Sequence, residues 1–260
     1  MRATVRDKSL RVLVVDDNAV NQKLAAAILL RAGHVSTVVP NGREAVAAVE
    51  RERFDVVLMD VQMPVMGGFE ATRLIREMGV RSGRRMPIIA VTTSAMKEGR
   101  EACLEAGMDA FLSKPIQAAQ LVETLERLAS GSLPDLNADA KSADTDGAET
   151  LDEVALMKLV GGNRELAGEL AELYLDDLKP RVDEITAAVG ERNADCLVAA
   201  AHALRGSSGS LRAENVSAAA GALEAMGRSG ELEGVQRALD VLTAALASLR
   251  PRLVLLAGRA

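Results

Sequence analysis

Five short β-rich runs alternate with helix-patterned segments over the first 130 residues, and no such run follows them. Leu10 to Val15, Val35 to Val39, Phe54 to Met59, Pro87 to Thr92 and Ala110 to Ser113 are rich in Val, Ile, Leu and Phe. Between them, apolar residues recur at helical spacing, as in Val20, Leu24, Ala27 and Ile28. Asn18 is placed to cap that helix and Gly33 to end it. The other helices are expected over 42–51, 69–78, 97–106 and 118–129. Strictly alternating βα units demand a parallel sheet, because a parallel pair needs a crossover and a helix supplies it. The expected fold of this half is a doubly wound α/β five-stranded parallel sheet.

The remainder is of another kind. Residues 131–150 are small, acidic and non-periodic, and read as a flexible linker. Thr150 and Glu153 have the spacing of a capping box. From there every periodic segment is helical, over 152–160, 164–190, 195–211, 214–228 and 231–257, with Pro180 and Pro251 as expected kinks or breaks. A C-terminal all-α helical bundle over 151–260 follows. Charge divides the same way. Residues 1–130 hold 18 basic and 16 acidic side chains, so of the chain's 31 and 37 the rest holds 13 and 21.

Composition excludes several classes. No basic stripe is present and aromatics are 2% of residues, so neither phosphate tracking nor base stacking points to nucleic acid. No apolar run approaches the roughly 20 residues of a membrane span, and the start lacks a signal-peptide stretch. Cys103 and Cys196 are far apart in helical segments and are expected to be small buried residues; the chain reads as cytoplasmic. His34, between two segments and away from charged clusters, reads as a turn residue.

Ligands of parallel sheets gather beyond the C-terminal strand ends. Asp16, Asp17, Asp60, Thr92 and Lys114 all fall there. Asp16-Asp17 alone would be read as solvated carboxylates at a loop entrance; five positions in register at strand ends point to chemistry. A phosphoryl group on a carboxylate needs a nucleophilic Asp, a divalent cation and a compensating ammonium. The helical half offers His202, in Ala201-His202-Ala203-Leu204-Arg205-Gly206-Ser207-Ser208-Gly209. Leu197, Ala200 or Ala201, Leu204, Ser208 and Leu211 form an apolar stripe, and Leu204 lies roughly 200° around the helix from His202. His202 is therefore expected to project towards solvent. Gly206, a poor helix former, is expected to mark a flat surface, and Arg205 is placed to pair with phosphate oxygens.

Val14-Val15-Asp16-Asp17-Asn18, Met59-Asp60 through Gly68, Ala90-Val91-Thr92-Thr93-Ser94-Ala95-Met96 and Phe111-Leu112-Ser113-Lys114-Pro115 resemble the response-regulator receiver domain over residues 9–129. The Asp-Asp-Asn start with Asn21 is similar to receivers attached to hybrid histidine kinases. The resemblance implies Asp60 as phosphoacceptor, with Mg²⁺ held by Asp16 (through water), Asp17, Asp60 and the Gln62 carbonyl. It implies Thr92 and Lys114 on the phosphoryl group, Thr92 and Phe111 as switch residues, and a cis Lys114-Pro115 bond. Thr93 stands where relatives often have Ala, which narrows access; Gln62 and Ser94 occupy positions that tune dephosphorylation.

The helical half, through His202, Arg205, Gly206, Gly209 and Leu223-Glu224-Ala225-Met226-Gly227-Arg228, resembles a histidine phosphotransfer (HPt) domain. That resemblance implies His202 as a second phosphoacceptor and Gly206 and Gly209 as docking surface. Arg205 keeps the charge of a usual Lys, and Arg212 replaces a common Gly. Together the two halves, receiver over 1–130 and HPt over 151–260, imply a two-component phosphorelay protein without a kinase catalytic domain. Its receiver would catalyse its own Mg²⁺-dependent phosphorylation and dephosphorylation. Its partners would be a histidine kinase, of hybrid type, and another receiver, downstream or upstream. A phosphate sink, a fragment of a larger hybrid kinase and a pure docking scaffold are the alternatives; the acidic pocket and His202 argue against the last.

Overall fold

The computed structural model describes residues 9–83, 85–92, 97–129 and 150–258. The chain divides into two compact units, residues 1–143 and 144–260. Residues 131–149 of the expected linker, and Thr93 and Ser94, lie outside the described residues.

The first unit alternates as expected: β1 (Arg11–Val15), α1 (Ala19–Arg31), β2 (Val35–Val39), α2 (Gly42–Arg51), β3 (Val56–Asp60), α3 (Gly68–Ser82), β4 (Ile88–Thr92), α4 (Lys97–Glu105), β5 (Ala110–Ser113) and α5 (Ala118–Ala129). All pairings are parallel, in the order β2-β1-β3-β4-β5. The central strands are covered on both faces: β3 is buried throughout and β1 from Val12 onward, whereas β2 at the edge buries only Val39. That is why β1 and β3 read as continuous apolar runs. One face of the sheet packs Leu13, Val15, Val57 and Met59 against Ala45, Ala71 and Ile75 of α2 and α3. Asn18 caps α1, accepting from the N–H groups of Val20 and Asn21, and Gly33 follows the helix at φ +83. Because β1 pairs with β2 on one side and β3 on the other, the chain reverses its winding there. A crevice opens beyond the C-terminal ends of β1 and β3, where doubly wound sheets bind ligands.

The second unit is helical: α6 (Glu153–Leu159), α7 (Arg164–Gly190), α8 (Ala194–Ser210), α9 (Glu214–Ser229) and α10 (Val235–Leu256). Helix α8 packs on α7 and α9, and α10 closes the bundle against both α7 and α9. Two boundary expectations are corrected. Asp152, not Thr150, caps α6, because its carboxylate accepts the Ala155 N–H at 2.8 Å. Pro180 and Pro251 lie inside continuous helices rather than ending them. Burial on both sides of each proline, Tyr174 with Ile185 and Leu249 with Leu253, offsets the lost backbone bond. Cys103 is buried as expected, but Cys196 is exposed, since it stands in the first turn of α8. His34 directly precedes β2, and its Nδ1 faces the Leu10 N–H at 3.4 Å.

Candidate functional sites: an acidic crevice and a buried histidine

Asp60 is the last residue of β3 and is 1% exposed; Asp16 follows β1 directly and is 4% exposed. Lys114, just past β5, reaches into the crevice. Its Nζ lies 2.6 Å from Asp60 Oδ2 and 2.9 Å from Asp16 Oδ2. The Lys114 backbone N–H donates to the Thr92 carbonyl at 2.7 Å, so the ends of β4 and β5 set where the lysine stands. The Lys114-Pro115 bond is cis. Asp16, Asp17 and Asp60 each offer a carboxylate oxygen, and these three lie within 4.8 Å of one another. Phe111 is half-buried against the sheet core.

The second layer is precise. Asp16 Oδ1 accepts from the Asn18 N–H and the Asn21 Nδ2, both at 3.0 Å, and its carbonyl accepts from Gln22 Nε2 at 2.6 Å. Asp60 Oδ1 accepts the Gln62 N–H at 3.2 Å. Gly68 opens α3 so close to Asp60 that a Cβ there would collide with the Asp60 carbonyl oxygen. The sequence reading found the acids and the lysine but not Gln22, since only the fold turns its side chain back onto β1.

Burial pushes the Asp60 carboxyl up to about 6; Lys114 opposes this and the charges of Asp16 and Asp17 add to it. Burial alone would lower the Lys114 ammonium, but Asp16 and Asp60 raise it instead, and it stays charged. Three carboxylates around one ammonium leave an excess of negative charge and a cluster of hard oxygen donors. That donor set fits Mg²⁺ or a similar divalent cation.

The histidine site corrects the sequence reading. His202 does not project into solvent: it is 8% exposed, and its Nδ1 lies 2.9 Å from Glu224 Oε1 on α9. Gly206 and Gly209 are likewise buried rather than lying on an open face. The physical reason is that α8 has neighbours on two sides. Every residue from Ala200 to Ser210 except Arg205 is buried, so opposition to one apolar stripe does not make a solvent face.

Glu224, 1% exposed, organises the site, a role that its place in the sequence does not by itself reveal. Its Oε1 also accepts from Arg228 Nη2 at 2.6 Å, and its Oε2 accepts from Arg205 Nη1 at 2.8 Å. Its signal was an acid beside Leu223 within the buried stripe Val216, Ala220, Leu223 and Gly227. Burial alone would raise its carboxyl; the hydrogen bond and charge of His202, with Arg205 and Arg228, hold it at about 2. An ionised carboxylate only accepts hydrogen bonds, so the shared hydrogen sits on His202 Nδ1. In the neutral form of such a ring the lone pair is on Nε2. Arg212, just past α8, takes φ +60. Its replacement of a common Gly therefore bears on a left-handed backbone position that Gly would hold without strain.

A parallel sheet with an acidic crevice at its winding reversal, followed by a bundle with a buried histidine on a carboxylate, defines a pair of phosphotransfer modules. Comparison with known families gives the same division. The response regulator receiver domain matches residues 12–126 and the Hpt domain matches residues 169–251. The chain thus carries a receiver domain followed by an Hpt domain, the arrangement of hybrid histidine kinase phosphorelays. Neither module is a kinase domain.

The sensor histidine kinase GacS of Pseudomonas protegens is 34% identical over 209 residues, covering 79% of this chain and 23% of that protein. The signal transduction histidine-protein kinase BarA of Shigella flexneri is 32% identical over 208 residues, covering 77% and 22%. The chain thus spans less than a quarter of the length of these relatives. A receiver domain of the sensor histidine kinase PA1611 from Pseudomonas aeruginosa is 42% identical, covering 48% of this chain and all of that one, with a TM-score of 0.43. That crystal structure is described as having a magnesium ion coordinated in its active site cleft. Among the described residues, no helix is long and apolar enough to cross a membrane.

Proposed function

We propose that Asp60 and His202 carry the phosphoryl group in turn. A histidine kinase donates it to Asp60, Asp60 passes it to His202, and His202 passes it to another receiver. The chain acts in the cytoplasm as the C-terminal part of a hybrid kinase, with residues 1–130 and 151–260 as its two domains. The observation that carries this reading is Lys114, whose ammonium bridges Asp60 and Asp16 inside the crevice.

In the first step an Asp60 carboxylate oxygen attacks phosphorus, and the bond from phosphorus to the donor breaks. Lys114 Nζ and the Thr92 hydroxyl stabilise the equatorial oxygens. Asp16, Asp17, Asp60 and the Gln62 carbonyl would hold Mg²⁺. When bound, it neutralises charge on the phosphoryl oxygens. In the second step the His202 Nε2 lone pair attacks phosphorus, the P–O bond to Asp60 breaks, and Asp60 leaves as a carboxylate. Glu224 holds the Nδ1–H throughout and stabilises the cationic phosphoimidazole, while Arg205 compensates the phosphoryl charge. Phe111 and Thr92 respond to the state of Asp60.

The test uses the full chain. With Mg²⁺ and labelled acetyl phosphate, the His202→Gln chain should carry one acyl phosphate, and adding Asp60→Asn should abolish it. The wild-type chain should additionally accumulate acid-labile, base-stable phosphohistidine. Labelling that survives Asp60→Asn, or phosphohistidine that survives His202→Gln, overturns the assignment.

A further inference from the structure

Helix α9 carries Gly221 in its middle, and glycine is the poorest helix former after proline. The space it leaves is occupied by one side chain. A Cβ at Gly221 would stand 3.3 Å from Arg205 Cδ and 3.8 Å from Arg205 Nε, with no other atom within 4 Å. Gly227, two turns further along α9, is a contrast. There a Cβ would meet the backbone of α8 at the Ala194 oxygen, 3.1 Å away, and Val198 Cγ2 at 2.7 Å. Gly227 lets two helices approach; Gly221 makes room for an arginine.

The neighbours of Gly221 act on the same arginine. Ser217 Oγ donates to the Arg205 carbonyl at 3.2 Å, and Glu224 Oε2 accepts from its guanidinium at 2.8 Å. Ser217, Gly221 and Glu224 recur at i, i+4 and i+7, which places them on one face of α9. Arg205 itself stands three residues after His202, on the same side of α8. About a third of its side chain, 32%, remains exposed, so a phosphoryl group on His202 can reach it.

Resting on the assignment of His202 above, we propose that Ser217 and Gly221 are positioning residues for Arg205. They form a seat that fixes its long side chain along α9, so that its guanidinium is already placed when phosphorus is transferred. An unseated arginine would have to lose its rotamer freedom during each transfer; the seat moves that cost into folding.

The experiment compares Gly221→Ala, Gly221→Leu, Arg205→Ala and the double variant Gly221→Leu with Arg205→Ala, all in the full chain. Labelling of His202 by way of Asp60 should fall about 10-fold in Gly221→Leu and about 3-fold in Gly221→Ala, the size expected for a misplaced polar group. Gly221→Ala should melt no lower than wild type. The double variant should match Arg205→Ala within about two-fold, since both changes act on one group. ¹⁵N NMR should show the Arg205 Nε–H resonance displaced in the Gly221 variants while the His202 Nδ1–H resonance stays. If Gly221→Leu fails to fold, Gly221→Ala decides by the same readouts. A folded Gly221 variant with wild-type transfer and an unmoved Arg205 resonance overturns the seat, as does a double variant slowed by the product of the two single effects. If His202→Gln is still labelled on the bundle, the assignment of His202 fails, whereas the NMR link between positions 221 and 205 is unaffected.

Discussion

The two sites hold opposite balances of charge. In the crevice, three carboxylates surround one ammonium; in the bundle, one carboxylate meets two guanidiniums and an imidazole. On the proposed relay, a phosphoryl group entering the first would meet repulsion that a divalent cation would relieve. One entering the second would meet cations that the protein itself supplies. The same ligand would then be made acceptable by a borrowed charge in one place and by built-in charges in the other. Burial serves both, since a low local dielectric strengthens whichever charges remain.

Metal removal breaks this comparison most sharply. With excess EDTA, Asp60 labelling by acetyl phosphate should fall by about 100-fold or more, the scale of charge stabilisation a bound metal supplies. Phosphoryl already on His202 should be retained. Equal loss from both sites, followed as acyl phosphate and phosphohistidine, would show that the histidine site also depends on metal.

Glu224 is the next point of attack. Glu224→Ala leaves the buried His202 Nδ1–H without its acceptor and the partly exposed Arg205 without its carboxylate, and should destabilise the bundle by about 1–3 kcal/mol in urea unfolding. Glu224→Gln keeps an acceptor for Nδ1 and should cost less, while slowing transfer by losing the charge that balances the phosphoimidazole. A Glu224→Gln chain as impaired as Glu224→Ala would mean that charge alone, not tautomer control, is what Glu224 supplies.

The smallest effect is that of pH. Asp60 titrates at about 6 in the folded, metal-free chain, above the ordinary 3.8. Its folded form therefore binds more protons than its unfolded form between about pH 4 and 6, so this group's contribution to stability declines as pH rises through that window. Labelling should move the other way, falling as pH drops below about 6, because only the carboxylate attacks. Added Mg²⁺ should shift that midpoint downward. A labelling midpoint unmoved by Mg²⁺ would separate the titration from the crevice. In the bundle, Glu224 at about 2 keeps its charge across the same window, so the histidine site should not share this carboxylate transition.

These particulars show why the crevice was more legible than the histidine. Asp16, Asp60, Thr92 and Lys114 are positioned by strand ends, and a strand end is a one-dimensional signal: the apolar run stops and the functional residue follows. Period-2 and 3.6 patterning, caps such as Asn18 and punctuation such as Gly33 gave the element order directly, and alternation of strand with helix forced the parallel sheet. The helices of the bundle were equally plain from their period.

How α8 is surrounded was not plain. A helical wheel reports angles about one axis, and it placed His202 opposite Leu204. It carries no information on how many neighbours that axis has. Only the antiparallel return of α9 along α8 brings Gly227 to Val198, Glu224 to His202 and Gly221 to Arg205. The sequence by itself determined the two modules and the order of their elements, and it pointed to the residues proposed to carry phosphate. The tertiary structure decided which nitrogen of His202 meets a carboxylate, which carboxylate that is and where Arg205 rests. Those depend on contacts between residues 12 to 22 positions apart, which pack together only once two helices have chosen a common face.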